Sequence, residues 1–87
     1  MSNNNDNKIE KTLRKILDRS KELLQRGEFD PAAELAREIL TEHPDNGEAL
    51  YLLAVCQRFQ GRLEEALNTL AQLKRLRPGY GRAFQEE

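Results

Sequence analysis

The chain has 87 residues, 14 basic and 15 acidic side chains, a formal net charge of −1 and a single cysteine. That length predicts one small domain with a modest core. Balanced charge argues against nucleic acid or an anionic membrane as partner, and one cysteine excludes an intrachain disulfide or a thiolate metal cluster. No run reaches membrane-spanning length, and the N-terminus lacks the apolar core of a secretory signal, so a soluble, cytoplasmic protein is expected.

Charge is unevenly placed along the chain. Residues 1–26 carry seven basic and four acidic side chains, whereas 27–46 carry six acidic ones and a single arginine, Arg37. Residues 1–7 are polar, with nothing to bury, and are expected to form a disordered lead-in in which Asp6 or Asn7 can cap a helix. From Lys8 to Arg26, Ile9, Leu13, Ile16, Leu17, Leu23 and Leu24 recur at three- and four-residue steps. This spacing predicts an amphipathic helix, with Gly27 as its left-handed C-cap. Ser20 shares the stripe, and its small side chain would let another helix approach.

Asp30-Pro31 reads as the start of a second helix, with the carboxylate as N-cap and proline at the first helical position. Ala32, Leu35, Ala36, Ile39 and Leu40 form its apolar face, and the helix must stop near His43 because Pro44 follows. Asp45 or Asn46 caps a third helix that runs to about Gln60 with Leu50, Leu53, Ala54 and Cys56 inward, ended by Gly61. A fourth helix spans roughly Leu63 to Leu76, with Leu63, Ala66, Leu67, Leu70, Leu73 and Leu76 as its stripe. Pro78-Gly79 breaks the chain again, and residues 81–87 resemble the opening of a fifth helix. No strand signal is present.

The helices repeat. Gly27, Ala32 and Pro44 return thirty-four residues later as Gly61, Ala66 and Pro78, and Gly47 and Ala49 return as Gly81 and Ala83. Phe29 matches Leu63, Asp30 matches Glu64, Ile39 matches Leu73 and Leu50 matches Phe84. A fixed period of this size marks a stacked-repeat architecture.

The period and the residue types resemble the tetratricopeptide repeat, a pair of antiparallel helices with small residues at fixed points. Repeat one falls at 13–46, repeat two at 47–80 and a truncated third at 81–87. The inter-helix turns are Gly27 and Gly61, the close-packed small positions are Ala32 and Ala66, and the closing prolines are Pro44 and Pro78. Arg19 replaces the usual leucine, and Leu23 and Gln57 occupy the usual tyrosine position. An atypical first helix suits an N-terminal capping repeat whose outer face meets water.

The resemblance implies an all-α pair of helix-turn-helix repeats, wound as a right-handed superhelix, that acts as a non-catalytic scaffold for a protein or peptide partner. The chain offers one histidine, one cysteine and no phosphate-cradling glycine loop, so no catalytic residue, metal site or cofactor is expected. In this family the first helix of each repeat lines a concave groove. Its candidates here are Arg14, Leu17, Lys21, Leu24 and Gln25, then Glu48, Tyr51, Leu52, Val55, Arg58 and Phe59.

Arg14, Lys21 and Arg58 would bond a carboxylate-bearing segment, and Tyr51 and Phe59 would supply apolar anchors. The competing reading has Leu17, Leu24, Tyr51 and Phe59 packing between helices and the basic residues solvated. Members of the family that bind chaperone tails use a lysine, two asparagines and further basic residues. Those positions hold Leu17, Lys21, Leu52, Arg82 and Glu86 here, so chaperone C-termini are not expected ligands.

Leu67, Leu70, Leu73 and Leu76 of the fourth helix, with Phe84, form a second candidate surface, expected to self-associate as a homodimer. The segment from Pro78 to Phe84 looks like the junction that precedes bacterial sulfotransferase-like domains. That similarity implies an alternative role as the N-terminal accessory module of a larger enzyme.

Overall fold

A computed structural model describes residues 3–77, with side chains from Ile9 onward. Four helices follow one another: α1 (Asn3–Gln25), α2 (Phe29–Glu42), α3 (Gly47–Phe59) and α4 (Leu63–Leu76). Each packs on the next, and α1 also touches α3. This is the expected all-α helix-turn-helix order, and there is no strand among the described residues. The closing Pro78, the truncated repeat at 81–87 and Phe84 lie outside the described residues.

The turns follow directly from glycine. Gly27 and Gly61 have φ of +81° and +82°, the left-handed region in which a side chain is strained. At each, two crossed bonds close the preceding helix. Gly27 N–H donates to Leu24 O (3.0 Å) and Glu28 N–H to Leu23 O (2.8 Å), and Gly61 and Arg62 repeat this to Arg58 O and Gln57 O. This double bond pattern satisfies helix-end carbonyls that would otherwise be orphaned.

The helix starts differ in part from expectation. α1 begins at Asn3, within the stretch expected as a disordered lead-in, so Asp6 and Asn7 lie inside the helix instead of capping it. Propagating a helix outward from a nucleated amphipathic segment is far cheaper than starting one. Asp30 is not the N-cap of α2. That position belongs to Glu28, whose side chain makes no capping bond, and the Asp30 carboxylate instead accepts from Gln60 Nε2 at the end of α3. Pro31 is tolerated because it still falls in the first turn, where N–H groups have no partner inside the helix. Of the two candidates Asp45 and Asn46, it is Asn46 that caps α3, its Oδ1 accepting from Ala49 N–H at 2.8 Å.

The core lies between the helices and is built around small residues. Ala32, Ala33, Ala36, Ala49 and Cys56 have no exposed surface, and Leu17, Leu23, Ile39, Leu52 and Leu53 fill the space beside them. Ser20 is also fully buried, and its hydroxyl donates to Ala32 O at 2.9 Å, fixing the close crossing of α1 and α2.

Two sequence-derived faces need correction. Leu17 and Leu52, expected to line a groove, are buried in the core. On α4 only Ala66, Thr69 and Leu73 are buried, while Leu63, Leu67 and Leu76 are exposed. Leu73, 3 % exposed, therefore faces α3 and not an outer surface. The leucine stripe of α4 is wider than the side that α3 covers.

Candidate partner-binding face

α1 and α3 meet at a charged cluster made by three of the predicted groove residues, Arg14, Lys21 and Glu48. Arg14 lies one turn before Leu17 on α1, and Glu48 lies in the first turn of α3. Both Arg14 guanidinium nitrogens donate to the Glu48 carboxylate oxygens at 3.0 Å, a two-pronged contact. Lys21 Nζ approaches the same carboxylate at 2.8 Å from two turns further along α1. Asp18 stands 3.9 Å from Arg14 on its other side.

Two cations that sequence spacing offered to a ligand are thus committed to a neighbouring helix. Hydrogen bonds from Arg14 and then Lys21 hold the Glu48 carboxyl below its ordinary range, against a smaller opposing effect of burial. Arg14 is correspondingly raised by its bond to Glu48. An open cleft of about 630 Å³ lies beside this cluster, bordered by Lys11, Arg14, Leu17, Asn46 and Glu48.

The direction of the Glu48 shift sets a pH dependence. A carboxyl lowered in the folded state contributes stability that is fully present above its unfolded value and is lost as pH falls through the lowered one. Glu48→Gln should therefore be less stable than the parent in urea titrations at about pH 7, and the difference should shrink as pH falls through the carboxylate range. A difference independent of pH would show that the cluster does not titrate with folding.

The other end of the face is less committed. Arg58 is exposed in the last turn of α3 and has no ion-pair partner among the described residues. Phe59 beside it is 61 % exposed, yet its ring is held by Phe29, with centroids 4.9 Å apart and planes within 7°. Val55 and Leu24 are half-buried, and Gln25 is exposed at the end of α1. Tyr51 is half-buried and engaged within the chain.

A second cleft, of about 560 Å³, opens between α1 and α2 and is lined by Ile9, Leu13, Ile16, Ile39, Glu42 and His43. Sequence periodicity placed these apolar residues in the helix contact. The helices instead leave Ile9 half exposed. His43 serves as the C-cap of α2, its N–H donating to Ile39 O at 2.7 Å. Cys56 is fully buried, and burial pushes its thiol up, away from the reactive thiolate. Among the described residues no cluster of His, Cys, Asp and Glu could hold a metal ion, and no helix is long and apolar enough to cross a membrane.

Successive antiparallel helix pairs, related by a thirty-four-residue period and joined by left-handed glycines, define a helical-repeat protein. A tetratricopeptide repeat family model matches residues 23–85, and the chain belongs to the tetratricopeptide repeat family. Repeats of this family generally mediate protein–protein interaction and are typically non-catalytic scaffolds. No curated protein and no solved structure matches the chain.

Proposed function

We propose that the chain is an interaction module that holds an extended peptide or a helix of a partner protein on the α1/α3 face. The observation that carries this reading is the pairing of Arg58 and Phe59. A guanidinium with no ion-pair partner among the described residues sits next to an exposed ring that stacks on Phe29. Among the described residues, such a cation has no internal pair to break before it bonds a ligand carboxylate. An aromatic ring held in place loses little freedom when it is covered.

The fitting ligand is a segment with an acidic side chain adjacent to a large apolar one. Gln25 shares the repeat position of Phe59 on α1 and would contact the ligand backbone, while Val55 extends the apolar strip toward Tyr51. Arg14 and Lys21 act differently from the sequence expectation: through Glu48 they fix the spacing of α1 and α3. The same face would serve an accessory module of a larger enzyme.

Selection from a displayed random-peptide library tests the reading. Acidic–apolar motifs should be enriched on the parent chain, and Arg58→Glu should abolish or invert the acidic preference with helicity unchanged, since Arg58 is exposed. Phe59→Ala should weaken every selected peptide. Enrichment of one motif irrespective of both substitutions would remove this face from consideration.

A further inference from the structure

α4 presents a second surface, independent of the α1/α3 face. Leu63 and Leu67 are 61 % and 65 % exposed, Leu70 is half-buried, and Lys74 continues the same line. In an α-helix these positions fall on one narrow stripe. Leu76, although exposed, lies on a different side, and Leu73 is in the core. The surface is therefore Leu63, Leu67, Leu70 and Lys74.

Comparison with the equivalent stripe of α2 shows what this surface is not built for. Thirty-four residues earlier the positions hold Phe29, Ala33, Ala36 and Leu40, so the two central ones are small. Phe29 stacks on Phe59 of α3, and Ala33 and Ala36 have no exposed surface in the core that α3 shares. Small residues there let α3 come close. Leucines at the corresponding points of α4 would overpack against a helix at that distance. They suit a wider, interdigitated contact between two bulky stripes.

The spacing of the stripe is the same in both directions, stepping by four, three and four residues. We infer that it binds the same stripe of a second copy, with the two α4 helices antiparallel about a twofold axis. Leu67 then lies against Leu70 of the second copy, and Lys74 reaches Leu63 and Glu64 at its opposite end. Charge agrees with that direction. The first turn of α4 is acidic (Glu64, Glu65) and the last turn basic (Lys74, Arg75), and Glu64 has no ion-pair partner among the described residues. Antiparallel packing brings unlike ends together twice, whereas parallel packing brings like ends together. The contact is isologous, so it closes at two copies.

Sedimentation equilibrium of the 87-residue chain at roughly tens of micromolar should show a monomer–dimer equilibrium, the range expected for a contact at the small end of specific interfaces. Leu67→Glu should give a monomer with unchanged helicity, because the side chain is exposed in the single chain. Lys74→Glu should weaken the dimer, and Lys74→Glu combined with Glu64→Lys should restore it. A monomeric parent chain would overturn the proposal, as it would if the chain's own residues 81–87 cover the stripe. So would a dimer indifferent to Leu67→Glu, or a charge exchange that rescues nothing.

Discussion

Ala32→Leu should destabilise the chain by about 1–3 kcal/mol through overpacking alone. Ala32 has no exposed surface, and its carbonyl accepts the Ser20 hydroxyl at 2.9 Å, so α1 and α2 are close there. A leucine must push the helices apart, and the buried hydroxyl then loses its acceptor, adding to the cost. Ala66→Leu tests the same contact in the second repeat. Ser20 is matched there by Ala54, which offers no hydroxyl, so the penalty should be smaller.

Ala71→Leu, on the exposed side of α4, should change little and serves as the control. In a domain of this size each 1 kcal/mol moves the melting temperature by roughly 4–8 °C, so thermal unfolding followed by circular dichroism resolves the series. Equal penalties at positions 32 and 66 would show that the Ser20 bond contributes nothing.

The second large effect is expected at a polar pair inside the α3/α4 contact. Thr69 Oγ1 lies 2.7 Å from Gln57 Oε1, with both residues buried, and 2.9 Å from Glu65 O. The same positions in the first repeat are Leu23 and Leu35, so one repeat solves with a hydrogen bond what the other solves with two apolar side chains. Thr69→Val should cost about 1–3 kcal/mol, because it leaves the buried Gln57 oxygen without a donor. Gln57→Leu combined with Thr69→Val should recover most of that loss, since removing both partners together leaves no orphan. Urea titrations of the four proteins measure the coupling directly. Strictly additive single effects would mean that the bond carries no net stability.

The sequence made the backbone plan legible where one residue type has one physical use. Gly27 and Gly61 announce left-handed helix ends, Asn46 announces a cap, and Ala32, Ala66 and Ser20 announce close crossings. Each of these requirements is local and survives in the structure. The start of α2 was misread because Asp30-Pro31 is a strong cap signal, whereas the fold uses Asp30 to accept from Gln60 in another helix. No local pattern reveals that partner.

The face of α4 was misread for a different reason. Periodicity shows which residues are apolar but not which side has a neighbour, and six apolar positions exceed what α3 can cover. The repeat register places Arg14 and Lys21 on the groove side of α1 but does not show that a carboxylate on α3 meets them there. A signal was present nonetheless: Arg14 and Glu48 are separated by one full period, so they occupy the same repeat position with opposite sign.

That coincidence of period and charge has a consequence for assembly during folding. Two near-copies of one unit can exchange places, between molecules as well as within one, and such swapping is a characteristic hazard of tandem arrays. If the first unit of one molecule stacked beside the first unit of another, Arg14 would meet Arg14. Two second units would set Glu48 against Glu48. A first unit stacked on a second, as within the chain, brings the guanidinium to the carboxylate. The ion pair therefore works against like units stacking on like, in units that are otherwise similar enough to be mistaken for each other.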